Sequence, residues 1–183
     1  MSEIEQTSPS PAIHPHHVNL VAPAPVPRRN LDLFLAGGIT GTDDWQARVG
    51  QELTDLDIMV ANPRRAEGLS KTGSGASEQI AWEHAMLMRA TTVLFWFAPI
   101  QLQPIALFEL GAMSHLGKNI IVGADPEYPR RFDVVEQMSN IRPNLPIHES
   151  LDDLIRATRQ AMAHQISVRN QVKALGEQLD RWA

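Results

Sequence analysis

From Leu31 onward the chain alternates short, continuous apolar runs with longer stretches in which apolar residues recur every three or four positions. The runs lie at Leu31 to Ala36, Asp57 to Ala61, Thr92 to Phe97, Asn119 to Gly123 and Leu145 to His148. The helical stretches lie at Trp45 to Leu53, Ser77 to Ala90, Pro104 to Leu116, Phe132 to Met138 and from Ser150 onward. A strand can be apolar at nearly every position only when both its faces are covered. The pattern therefore predicts a five-stranded parallel sheet between two helical layers, an α/β three-layer sandwich. Ser150 is placed to cap the last helix, with Asp152 and Asp153 in the first turn, where the helix dipole favours acids. Further along, Val168, Val172, Leu175, Leu179 and Trp182 recur at alternating spacings of four and three. Such a stripe docks a helix on a neighbour, either its own domain or another subunit.

The first 30 residues break the pattern. They hold Pro9, Pro11, Pro15, Pro23, Pro25 and Pro27 and lack strand or helix periodicity, so they read as an extended or disordered tail. The chain then divides into that tail (1–30), one domain (31–160) and a helical extension (161–183). His14, His16 and His17 form a small cluster, but a flexible histidine-rich tail binds metals weakly, so no metal site is expected.

Composition narrows the function. A net charge of −5 without any long basic block offers no surface for tracking a phosphate backbone, which argues against a nucleic-acid polymer as partner. The absence of cysteine removes thiolate nucleophiles, thiolate metal sites and disulfides. No apolar run approaches the roughly 20 residues of a membrane span, and the first ten residues are acidic and polar rather than signal-like. The expectation is a protein of the cytoplasm with no membrane contact.

In an open parallel sheet, ligands bind beyond the carboxyl ends of the strands, here Gly37 to Thr42, Asn62 to Arg65, Ala98 to Glu109 and Gly123 to Arg131. One carboxylate there is out of place. Glu109 has Ile105, Ala106, Ala112 and Met113 as its helical neighbours and no basic partner among them. Such a group is either catalytic or held by a buried hydrogen bond. Glu83 repeats the situation among Gln79, Ile80, Met86 and Leu87. Two acids of this kind can divide the labour of glycosidic cleavage, one attacking the anomeric carbon while the other handles a proton or holds the sugar. His84 beside Glu83 reads as a packing residue.

The turn Gly37-Gly38-Ile39-Thr40-Gly41-Thr42 leaves room for a ligand near main-chain N–H groups, but lacks the lysine and glycine spacing of the common nucleotide loops. Arg64, Arg65, Arg130 and Arg131 can meet a phosphate or simply be solvated. Trp45, Trp82, Trp96 and Phe97 can stack on a base or fill the core. The long Gly- and Ser-rich loop from Ala66 to Ser77 reads as a lid.

Taken as an ordered set, Phe34-Leu35-Ala36-Gly37-Gly38-Ile39, Asp44-Trp45-Gln46, Asn62-Pro63-Arg64-Arg65, Trp82-Glu83-His84, Leu94-Phe95-Trp96-Phe97 and Glu109-Leu110-Gly111 resemble the nucleoside 2-deoxyribosyltransferase-like family, over roughly Leu31 to Leu154. The resemblance implies a flavodoxin-like fold and places the nucleophile on Glu109, in the Glu-Leu-Gly motif. It places the assisting acid on Glu83, where characterised members usually carry aspartate. Substrate contacts are then expected from Gly37, Gly38, Ile39, Asp44, Trp45, Asn62, Arg64, Trp82 and Phe97. The implied ligands are a nucleoside or nucleotide and a free nucleobase, with no cofactor, in a homo-oligomer. Capture of the glycosyl-enzyme by a base makes a transferase, and capture by water a hydrolase. The same fold family includes nucleoside-monophosphate glycosidases, whose first loop takes the 5′-phosphate. A non-catalytic nucleotide-binding module, in which Glu109 is dispensable, is the contrasting reading.

Overall fold

The computed structural model describes residues 12–25, 28, 30–65, 73–99 and 101–182. In chain order the strands are β1 (Val18–Val21), β2 (Leu31–Gly37), β3 (Met59–Asn62), β4 (Ala90–Phe97), β5 (Asn119–Ala124) and β6 (Ile147–His148). The helices are α1 (Trp45–Glu52), α2 (Ser74–Arg89), α3 (Pro104–His115), α4 (Arg131–Ile141) and α5 (Leu151–Asp180). All strand pairs are parallel, in the order β1-β3-β2-β4-β5-β6. Trp82, Met86, Ala106, Leu110, Met113, Val134 and Met138 cover one face of the sheet. Trp45, Val49, Leu53, Leu154, Ile155 and Met162 cover the other. Every residue from Leu31 to Ala36 is buried, as the unbroken apolar run requires, although one of them is charged.

That charge is Asp32, and it is fully engaged. Its carboxylate accepts from Met59 N at 2.8 Å, from Gln165 Nε2 at 2.8 Å and from Arg169 at 3.1 Å, tying β2 to β3 and to α5. A buried carboxylate persists because each lone pair it exposes has a donor.

The sheet carries the five expected strands and a sixth. Val18–Val21, within the segment read as a tail, pairs along β3 from Val18 opposite Met59 to Val21 opposite Asn62. This corrects the view that the segment takes no part in the fold. The physical reason is that β3 would otherwise present a row of unpaired backbone groups at the edge. Pro15 and Pro23, on either side of the new strand, limit how far the pairing extends. Ala22 N to Asn62 O at 3.1 Å and Trp82 Nε1 to Ala24 O at 2.7 Å fasten its exit. Residues 1–11 of the expected tail and residues 66–72 of the lid expected over Ala66 to Ser77 lie outside the described residues, while the end of that loop, from Ser74, is the first turn of α2.

The helix ends follow their sequence signals. Pro104 opens α3 at a position where its missing N–H costs nothing. Ser150 caps α5 by accepting from Asp153 N at 3.1 Å. α5 is a single helix of 30 residues, and the stripe from Val168 to Trp182 is not covered by its own domain: these side chains are 43 to 90% exposed.

Candidate active site

The chain leaves β2 toward β3 on one side and returns to β4 on the other, so the sheet order reverses between β2 and β4. Crevices form at such a reversal, beyond the strand ends. Here the exit of β2, the exit of β4 and the flanks of α2 and α3 enclose a cavity of about 260 Å³. It is lined by Gly37, Gly38, Ile39, Glu83, Gln103 and Glu109 among others. The size lies near the lower end of small-molecule sites, about 300 Å³.

Glu109 and Glu83 therefore meet at one cavity, from different helices. α3 turns Ala106, Leu110 and Met113 into the core, which leaves Glu109 half-buried at the cavity wall. No described residue makes a hydrogen bond to its carboxylate, and burial, then the negative charge of Glu83, push its pKa up to about 7. Glu83 is also raised by burial, but Gln79 and the charge of Arg65 oppose the rise. Gln79 Nε2 donates to Glu83 Oε1 at 2.6 Å and to Pro63 O at 3.0 Å, while Gln79 Oε1 accepts from Arg65 Nε. The pair is thus unequal. The Gln79 amide and the Arg65 guanidinium check the rise at Glu83, whereas nothing of the kind opposes it at Glu109, the group pushed up to about 7.

The glycine-rich turn is held tightly. Gly38 N donates to Gln103 Oε1 at 2.7 Å, and Gly38 O accepts from Trp45 Nε1 at 3.0 Å. Arg64 donates to the carbonyls of Ile39 and Thr42, the latter at 2.9 Å, and pairs with Asp44 at 3.3 Å. Arg64 is thus a clamp on this turn. Removing the clamp frees two carbonyls but no core contact, so Arg64→Met is expected to speed amide exchange over residues 38–44 by about tenfold, roughly 1.4 kcal/mol of local stability. An exchange pattern identical to wild type would show that the turn holds itself.

Gly37 has φ of 154°, and a Cβ there would press on the Trp96 carbonyl oxygen and come within 2.8 Å of the Trp45 ring. Neither neighbour is free to move, because Gly37 is in register with Trp96 and the Trp45 ring is pinned by Gly38. Gly37→Ala is therefore expected to cost more than about 2 kcal/mol, read as a drop in the urea midpoint. An unchanged midpoint would contradict this packing.

The other expected contacts divide. Asp44, Asn62 and Arg64 line a neighbouring cavity of about 800 Å³, which shares Ile39 and Thr40 with the first. Trp45, Trp82 and Phe97 are buried and line neither cavity. Phe97 stacks with Phe95 at 6.5 Å and meets Tyr128 at 5.1 Å, as a core ring does. Arg130 pairs with Asp133, and Arg131 with Glu149 and the Ala124 carbonyl. The sequence shows Gln79 only as a helical neighbour of Glu83 and does not single out Gln103. A polar residue directly before the proline that opens a helix, in a strand-end loop, was the available signal for Gln103. Among the described residues no group of His, Asp or Glu is arranged to hold a metal, and no helix is long and apolar enough to cross a membrane.

No curated protein matches the chain. The model of the nucleoside 2-deoxyribosyltransferase-like family matches residues 30–128, from the start of β2 to Tyr128 beyond β5. That span is over half of the 183 residues and holds both carboxylates, the glycine-rich turn and the reversal of the sheet. The chain belongs to the nucleoside 2-deoxyribosyltransferase-like family.

Proposed function

We propose that this protein cleaves the N-glycosidic bond of a nucleoside and transfers the sugar to a second nucleobase, with Glu109 as nucleophile. The observation that carries the proposal is the meeting of two half-buried carboxylates, unequal in their hold on a proton, at one cavity at the sheet reversal. An oxygen of ionised Glu109 attacks C1′, the C1′–N bond breaks, and its electron pair leaves with the base, which takes up a proton. The sugar passes through a cationic, oxocarbenium-like state, which two nearby carboxylates stabilise. Attack also converts a poorly solvated carboxylate into a neutral ester, so burial that disfavours the resting charge favours the covalent intermediate. Glu83, held in place by the Gln79 amide, accepts a hydrogen bond from a sugar hydroxyl. A second base then attacks C1′ and gives up its N–H proton to solvent, balancing the proton that the departing base took from solvent, and Glu109 departs as carboxylate.

A nucleoside suits this site better than a nucleotide. Gly38 N is spent on Gln103, and the Arg64 guanidinium on the carbonyls of Ile39 and Thr42, so neither is free for a 5′-phosphate. The test is chromatography of base release and base exchange from deoxynucleosides, ribonucleosides and their 5′-monophosphates, with and without a free second base. Exchange from nucleosides supports the transferase. Release without exchange means a hydrolase, a preference for monophosphates overturns the reading of the turn, and binding without turnover makes the protein a sensing module.

A further inference from the structure

The apolar stripe on α5 has a geometry that names its occupant. Val168, Val172, Leu175, Leu179 and Trp182 continue, at the same alternation of four and three, the row Leu154, Thr158, Ala161 and Gln165. In the first half of the helix Leu154 and Thr158 are fully buried, and α5 there packs on β5 and β6. In the second half every residue from Gln171 to Trp182 is exposed. A helical stretch of that length without contacts is marginal in water, and Gly176 weakens it further. An average of 3.5 residues between apolar positions is the repeat that keeps a seam facing one partner helix over successive turns.

Of the residues that flank the seam, Gln171, Gly176 and Gln178 carry no charge and Arg169 is paired with Asp32 and Asp57 of its own domain, so two copies of this stretch meet without like-charge repulsion. Direction follows from continuity. The face offered by residues 168–182 is the one that the first half of α5 turns toward its own sheet. A parallel partner helix would run along that face into the space the sheet occupies, whereas an antiparallel one runs away from it.

We propose that residues 168–182 form an antiparallel two-stranded coil with the same stretch of a second copy of this chain. Leu175 then lies at the two-fold axis, Val172 faces Leu179 of the partner subunit, and Val168 faces Trp182 of the partner subunit. Each small side chain meets a larger one, which fills the seam without leaving voids.

The chain has no cysteine, so engineered thiols report position without background. By light scattering, the full-length protein is expected at twice the chain mass and Leu175→Glu at the chain mass, with the backbone amides of β2 and β4 still protected from exchange. Under mild oxidation Leu175→Cys is expected to form a covalent dimer, Trp182→Cys alone is not, and Trp182→Cys mixed with Val168→Cys is. A wild-type monomer at all concentrations overturns the proposal. So does a dimer that survives Leu175→Glu, which would move the interface elsewhere, to exposed Ile105 and Phe108 of α3 first. Efficient self-crosslinking through Trp182→Cys overturns the antiparallel arrangement.

Discussion

Glu109→Gln is expected to abolish N-glycosidic turnover, by on the order of 10⁴-fold or more, while making the folded protein more stable above neutral pH. The two effects share one cause. A carboxyl raised from an ordinary 4.5 to about 7 in the folded state holds a proton that the unfolded chain has already lost. Stability from that proton is fully present below about pH 4.5 and is lost as pH rises through about 7. At pH 8 the wild-type protein carries the full cost of an ionised, poorly solvated group, and the amide carries none. The difference is about 2 kcal/mol once solvent screening of a partly exposed group is allowed for. For a chain of this size that is roughly 4–8 °C in Tm. Thermal unfolding at pH 5 and pH 8 checks it: the advantage of the variant should be small at the lower pH and open at the higher. A variant less stable than wild type at pH 8 would mean that the carboxylate is held by a bond the cavity geometry does not contain.

The second large effect is a displaced pH profile in Glu83→Gln. Attack needs Glu109 ionised, so kcat/KM of the wild-type enzyme should fall on the acid side of about pH 7. The leading cause of that high value is burial, and the second is the charge of Glu83. Replacing Glu83 by its amide removes the second and keeps the first. The acid limb is therefore expected to move to lower pH without reaching the ordinary carboxylate range. The plateau should drop by about 10²-fold as the sugar loses its acceptor. Profiles of kcat/KM for both proteins decide the matter. A limb that stays in place would show that Glu109 does not sense the charge of Glu83, and a limb that moves upward would reverse the assignment of the proton.

Most of the fold was legible because it rests on local periodicity. Continuous apolar runs at β2 and β4 announce strands covered on both faces, and a three-or-four spacing announces α2, α3 and α5. Both carboxylates were legible for a related reason: an acid surrounded by apolar helical neighbours has no local explanation, so its explanation is elsewhere. The homology of the ordered motifs added the family. β1 was not legible, because four residues between prolines carry no period of their own and become a strand only beside β3.

Among the expected ligand contacts, some polar groups already have partners within the chain. Trp82 has the ring of a base-stacking residue, yet its N–H goes to the Ala24 carbonyl and its face to the core. Arg64 has the charge of a phosphate ligand, yet it lies within reach of the carbonyls of a turn more than 20 residues earlier.

The sequence by itself determined which segments are strands and helices, the class of the fold and the two acids without a basic neighbour on their own helix, since each depends on residues within one or two turns of one another. Tertiary structure alone decided that those acids face one cavity, that Arg65 comes to back the Gln79 amide beside Glu83, that Gln103 takes the Gly38 amide 65 residues away, and that the stripe on α5 is left uncovered by its own domain. Contacts across such separations follow from how the layers pack, and no period along the chain encodes them.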